Sequence, residues 1–242
     1  MRFRFRAMMM GALLLSTAAS WAQIPASACV DASTLEEKER PSGIAGGVQR
    51  VMRMPSTTVD APPDTTICPL TTTQKLKVWV QRSYSPANLL IAGIDAAVWQ
   101  ASDTDPRGFG QGWEAYGARY GAALATAEST RFFQSFLLPS ILKEDPRYFR
   151  QGSGGFGPRL GYAISRVLVA RTDSGHQRFN VSAVGGAFAA AALSNTYLPE
   201  VDRNPRRTVA SAGISLATTA GWKVLSEFGP DVWKKLRGKK KN

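Results

Sequence analysis

The chain has 242 residues, 44% of them apolar, and a formal charge of +12 with a single histidine and two cysteines. That apolar share fills the core of one ordinary domain, and no second block of composition suggests another. One histidine excludes a histidine-built metal centre and any mechanism that needs a histidine pair, and two cysteines exclude a disulfide-dense scaffold. No metal or cofactor is expected.

Arg2, Arg4 and Arg6 precede the apolar stretch Ala7 to Leu15, which fades into Ser20-Trp21-Ala22. A charged start, a short apolar run and small residues before the cut are the layout of a bacterial export signal, so residues 1–22 are read as a leader and Gln23 as the first mature residue. The expected location is the periplasm or the periphery of the outer membrane. The leader takes three arginines and no acid with it, so the mature chain keeps nine of the twelve positive charges. In an exported protein that excess points to anionic lipid or envelope polymer rather than nucleic acid, with plain solubility as the alternative. Cys29 and Cys68 can close one loop in an oxidising compartment. The rival reading is lipidation at Ala26-Ser27-Ala28-Cys29, which would leave Cys68 unpaired.

Residues 23–74 are rich in Ser, Thr, Pro, Gly and charge, as in Asp60-Ala61-Pro62-Pro63-Asp64. They bury too little apolar surface to offset their ordering entropy and are read as a disordered linker. Leu76, Val78 and Val80 alternate with polar neighbours, which allows a short strand or the approach to a helix. From Ser85-Pro86 onward come segments of helical length: Pro86 to Gln100, Gly112 to Glu128, Ser129 to Lys143, Pro158 to Ala170, Phe179 to Leu198 and Thr208 to Phe228. Turn signatures recur between them at Asp105-Pro106-Arg107, Asp145-Pro146-Arg147 and Asn204-Pro205-Arg206. Proline forbids helix continuation there, and a preceding Asp or Asn starts a turn. The expected fold is therefore all-α: about six helices in three consecutive hairpins, spanning 75–237 and followed by a basic tail at 238–242. All three Pro-Arg turns would lie at one end, with connectors at Glu128-Ser129 and Arg171 to Arg178 at the other.

Small residues recur every fourth position, at Gly93, Ala97 and Ala101, at Gly117, Gly121 and Ala125, at Ser182, Gly186, Ala190 and Ser194, and at Gly213, Ala217 and Gly221. On a helix such stripes let two backbones approach closely. Phe179 to Pro199 is about as long as a bilayer core requires, but Asn180, Ser182, Ser194, Asn195 and Thr196 leave it only marginally apolar. A water-soluble or peripheral bundle is the favoured reading. An outer-membrane barrel needs sustained alternation and a closing aromatic strand, and both are missing.

His176, in Asp173-Ser174-Gly175-His176, reads as a polar loop residue, since neither a second histidine nor a strained nucleophile turn accompanies Ser174. Asp95, Asp103, Asp105, Glu114, Glu128, Glu144, Asp145 and Asp173 are carboxylates that could work in pairs, yet spacing alone assigns none, and no catalytic residue is named. Gly152-Ser153-Gly154-Gly155-Phe156-Gly157 lacks the spacing and lysine of a phosphate-binding loop and reads as a turn. The densest chemistry is the basic aromatic run Arg147, Arg150, Arg159, Tyr162, Arg166, Arg171 and Arg178. Arg159 and Arg166 lie seven apart with Tyr162 between them and can offer forked contacts to a phosphate or carboxylate, with internal pairing to buried acids as the alternative. Trp233, Lys234, Lys235, Arg237, Lys239, Lys240 and Lys241 form a basic tip with an aromatic anchor, which suits an anionic membrane surface.

Asp145-Pro146-Arg147-Tyr148-Phe149-Arg150, Arg159 to Arg166, Arg171-Thr172-Asp173-Ser174-Gly175 and Phe179-Asn180 carry a resemblance to an uncharacterised family of exported bacterial proteins, covering roughly Tyr116 to Trp233. The resemblance implies one domain and carries no activity. The leading expectation is a non-enzymatic cell-envelope protein whose basic helical face meets anionic lipid or envelope polymer. The alternative is a hydrolase or transferase on envelope lipid or glycan that uses carboxylates and the Arg/Tyr cluster. The oligomeric state is not legible.

Overall fold

A computed structural model describes residues 29–31, 58–60, 66–84, 86–102 and 106–238. The leader, Asp103, Asp105, Lys239, Lys240 and Lys241 lie outside the described residues, as do the side chains of Trp233, Lys234 and Arg237.

The described chain is a mostly helical bundle. Helix α1 (Thr72–Ser83) opens with a reciprocal cap. The Gln74 amide N–H donates to Thr71 Oγ1 at 3.2 Å, and the Thr71 N–H donates to Gln74 Oε1 at 2.8 Å. This cap resolves the alternation at Leu76 to Val80 in favour of helix. Helices α2 (Pro86–Ala101) and α3 (Trp113–Arg131) form the first hairpin, through a short 3₁₀ turn at Arg107–Phe109. Helices α6 (Val181–Ser194) and α7 (Pro205–Gly238) form another, through a 3₁₀ turn at Glu200–Asp202. The two turns meet: the Gly108 N–H donates to Asp202 Oδ2 at 3.1 Å. A side chain at Gly108 would sit 2.3 Å from Pro199 Cβ, so only glycine allows this contact.

The middle of the chain departs from the expected hairpin. No turn forms at Glu128-Ser129, because neither residue breaks a helix. The helix continues through Arg131 into a π-helical stretch, Phe132–Leu137, and then α4 (Leu138–Leu142). Pro139 accounts for the π turn. Its ring and missing N–H conflict with the carbonyl four residues earlier, and a wider turn relieves both. The helix stops only at Lys143, whose φ of 53° is left-handed.

Asp145-Pro146-Arg147 then joins two short strands, β2 (Glu144–Asp145) and β3 (Tyr148–Phe149), rather than two helices. After α5 (Phe156–Ser165), the segment Arg171 to Arg178 is a β-hairpin of β4 (Val169–Thr172) and β5 (Gln177–Phe179), with β2 antiparallel to β4. Pro146 also lies at the wrong end for the expected repeat. The Tyr148 hydroxyl donates to Glu227 at 2.8 Å, and Glu227 stands 22 residues along α7 from Pro205. At 1.5 Å per residue that is about 33 Å. Pro106 and Pro205 share one end, and Pro146 is at the other.

Parts of the expected linker are fixed to the domain. Strand β1 (Thr58–Val59) runs parallel to β3, and Val30 bridges Ile67. Cys29 and Cys68 are joined as a disulfide with Cα atoms 4.9 Å apart, so Cys29 takes the bridge rather than a lipid.

The core is built from small residues, with Ala187, Ala191 and Ala212 packed under Leu216. The stripe on α6 is a true close contact, since a side chain at Gly186 would lie 2.7 Å from Gln134 Cγ and 3.1 Å from the Gln134 backbone nitrogen. Gly117, Gly121, Gly213 and Gly221 face open space instead, so their stripes bring no helix close among the described residues.

Candidate functional site

Glu227, fully buried on α7, collects the residues that follow β3. Its carboxylate accepts from Arg159 Nε at 2.7 Å, the Tyr148 hydroxyl at 2.8 Å, and the N–H groups of Gln151 and Gly152, both at 3.0 Å. Its backbone carbonyl accepts from Arg150 Nε and from an Arg159 guanidinium nitrogen, both at 2.8 Å. Arg150 also reaches Asp231 at 2.5 Å and Asp60 at 2.9 Å, and Arg159 reaches Asp231 at 2.8 Å. Burial by itself raises the Glu227 carboxyl. Arg159, Gly152, Tyr148 and Gln151 outweigh it and hold the group below its ordinary range. Tyr148 is pushed up by burial and by its bond to that carboxylate. The glycine loop does cradle an anion, and the anion is the protein's own Glu227.

The basic run therefore divides. Arg150 and Arg159 are committed to this knot. Arg147 forks onto Asp145 at 2.6 Å and donates to the Cys68 carbonyl at 2.7 Å. Arg178 pairs with buried Glu144 at 2.9 Å and with the Leu142 carbonyl. Arg171 lies over the Phe149 ring at 4.5 Å. Tyr162 gives its hydroxyl proton to the Phe149 carbonyl at 2.7 Å. Arg159 and Arg166 thus do not form one fork, because the buried acids claim Arg159.

Arg166 belongs to a different set. Its guanidinium stacks on Tyr162 at 4.5 Å, its Nε is buried without a hydrogen bond, and one terminal nitrogen donates to Gln177 at 3.2 Å. Nearby, the Lys223 amine sits 5.5 Å from the centre of the Tyr148 ring and makes no ion pair or hydrogen bond with a described residue. Burial, then the charges of Arg82 and Arg166, bring Lys223 down to about 8. Burial, then the charge of Arg131, brings Arg82 down to about 10. Arg131 is itself lowered by burial against the opposing pull of Glu128 at 2.7 Å. Arg131, Arg82, Lys223 and Arg166 come from the ends or faces of α3, α1, α7 and α5 and act on one another in sequence, Arg131 on Arg82 and Arg82 and Arg166 on Lys223, while Glu128 pairs with Arg131.

The other sequence candidates are mostly accounted for locally. Asp173 pairs with buried Lys75 at 2.8 Å, and Asp202 pairs with Arg207. Asp95 has no partner among the described residues, and burial raises its carboxyl. His176 Nδ1 meets Ser174 Oγ at 3.1 Å in the exposed β4–β5 turn, where Ser174 also meets Thr172. Lys235 is exposed.

Sequence reasoning missed Glu227, Lys223, Arg82 and Arg131. It also missed Arg119, fully buried and holding Gln100 at 2.5 Å and the Gly110 carbonyl at 2.6 Å. For Lys223 a signal existed: it is the only charged residue between Arg207 and Glu227. No known protein family, curated protein or solved structure matches this chain.

Proposed function

We propose that the chain is a non-enzymatic, exported protein of the cell envelope that associates with anionic lipid surfaces. The observation that carries this reading is the outer face of α7. From Ile214 to Leu225, over roughly three turns, it exposes Ile214, Trp222 and Leu225 between small residues, while Lys223 turns inward to Tyr148. On α2, Leu90, Ile94 and Val98 are likewise more than half exposed. An uncovered apolar face of this extent is unusual on a monomer and marks a contact surface. The chain's positive charge favours an anionic one. No helix among the described residues is long and apolar enough to cross a membrane, so the contact is read as lying along the surface.

Co-sedimentation tests the reading with vesicles of zwitterionic lipid alone or mixed with phosphatidylglycerol. Binding is expected only to the mixed vesicles, falling steeply with salt, and Ile214→Asp with Leu225→Asp should abolish it. A mature protein that ignores anionic vesicles, lipopolysaccharide and peptidoglycan at low salt would sink the reading. Export is tested separately by the N-terminus of envelope-isolated protein, expected at Gln23.

A further inference from the structure

Arg119 stands on the inner face of α3, one turn from buried Ala115 and Ala123, and none of its own surface is exposed. One guanidinium nitrogen, Nη1, is used twice: it donates to Gln100 Oε1 at 2.5 Å and to the Gly110 carbonyl at 2.6 Å. The other two, Nε and Nη2, are buried without a hydrogen-bond partner, and no carboxylate among the described residues pairs with the side chain. Asp202, which faces this end of the bundle, is already held by Arg207 and by the Gly108 N–H.

Elsewhere in the fold the same edge is filled. Arg147 lays Nε and Nη2 on the two oxygens of Asp145, at 2.9 and 2.6 Å. Arg159 gives Nε to the Glu227 carboxylate at 2.7 Å and Nη2 to the Glu227 carbonyl at 2.8 Å. Arg150 gives Nε to that carbonyl and Nη2 to Asp231, and Arg178 gives Nε to Glu144 and Nη2 to the Leu142 carbonyl. The N–H groups of this edge run parallel and match the two oxygens of a carboxylate. Arg119 has the edge and lacks the acid. A guanidinium keeps its charge when buried, and a buried charge without a counterion is strongly destabilising.

We propose that the Nε–Nη2 edge of Arg119 binds a small monovalent carboxylate from solution, held as Arg147 holds Asp145. One guanidinium answers one negative charge, so a dianion would bring a second charge into the bundle unpaired. A halide carries one charge but no second oxygen to complete the fork. The way in runs beneath Gly110 to Gly112, where both glycines have positive φ and open space on the Cβ side. Gln100 Nε2 latches this loop by donating to the Gly112 carbonyl at 3.1 Å, and Gln111 Nε2 by donating to the Gln100 carbonyl at 3.3 Å. Both bonds are exposed, so water replaces them while a ligand passes. This site is separate from the lipid-surface reading, since it needs neither a membrane nor an apolar chain.

The mature full chain is titrated with sodium acetate, against sodium chloride at the same ionic strength and against neutral acetamide, with no vesicles present. Acetate is expected to raise the melting temperature along a saturating curve, as a ligand of the folded state does, with half-saturation at least tenfold below that of either comparison. In protein labelled with ¹⁵N at arginine, one Nε–H resonance should move along the same curve. Arg119→Lys keeps the charge without the fork and should weaken the acetate response at least tenfold. If that variant fails to fold, the titrations of the native chain decide alone. An acetate response that never saturates, an equal response to chloride or acetamide, or an unaltered response in folded Arg119→Lys overturns the proposal.

Discussion

Glu227→Gln is the sharpest perturbation of the fold. The native carboxylate offers two charged oxygens to four donors from Arg159, Tyr148, Gln151 and Gly152. A glutamine keeps one acceptor oxygen and turns an NH₂ group toward the remaining donors, of which only the Tyr148 hydroxyl can turn round to accept from it. Arg159 is then left with Asp231 as its only acid among the described residues. Breaking one partner of a buried ion pair costs about 3–5 kcal/mol, and hydrogen bonds to a charged group are worth about 1.5–3 kcal/mol each. Arg159 loses its charged partner and at least one N–H loses its acceptor, so a cost within the first range is expected. For a domain of this size that lowers the melting point by about 10 °C.

Urea denaturation at pH 7 followed by circular dichroism measures the loss. A cycle with Arg159→Met should show the double variant costing at least about 1.5 kcal/mol less than the sum of the singles, as coupled neighbours do. The carboxyl is held below its ordinary 4.5 in the folded state. Its stabilisation is therefore complete above that value and drains away as pH falls through the lower folded value. The gap between native and variant protein should close on acidification. A loss below about 1 kcal/mol at pH 7, or a gap that is constant with pH, would refute the reasoning.

Gly186→Leu should destabilise by at least about 1–3 kcal/mol, because its Cβ meets the Gln134 backbone; Gly221→Ala, facing open space, should raise stability by about 0.5–1 kcal/mol, and thermal melts compare the two. Lys223 has its folded value lowered from 10.5 to about 8, so the unfolded chain binds the extra proton between those values and stability contributed by this residue should rise with pH across that window. Lys223→Met removes the rise and should raise the melting temperature at pH 7; an unchanged melt and pH profile would place the amine in water. Reducing Cys29–Cys68, 39 residues apart, should lower stability by about 2–4 kcal/mol, and a melt unaffected by reductant would show that the tether carries no strain of folding.

Local chemistry was legible in the sequence where it acts locally. The helical segments, and the turns at Pro106 and Pro205, follow from helix breakers flanked by apolar runs. The same signature at Pro146 marks a reversal equally well, but a turn dipeptide does not say whether strands or helices flank it. Glu128-Ser129 holds no helix breaker, and the actual stop uses Lys143 in a left-handed conformation that its side chain disfavours. The stripe at Gly186 packs and the one at Gly213 does not, because spacing fixes which residues share a face and not what faces them. The ion knot was beyond reach for a related reason: Arg159 and Glu227 are 68 residues apart, and no local period links them.

The arginine-rich segment illustrates how charge divides between stability and binding. Arg147, Arg150, Arg159 and Arg178 each meet a carboxylate at 2.5–2.9 Å, so their charge is spent within the fold and adds little to an outside partner. Arg166 lies seven residues from Arg159, and Lys223 four from Glu227, yet neither meets such an acid among the described residues, and the Lys223 value is brought down to about 8 by burial first and then by its cationic neighbours. A fold selected only for stability would put an apolar residue at 223, where the rest of the α7 segment is apolar or small. Retaining an amine there, where burial and the charges of Arg82 and Arg166 oppose its proton, costs stability that an apolar side chain would not. The stability given up at Lys223 is offset by the knot one turn further along the same helix, where Glu227 binds the loop after β3 to α7.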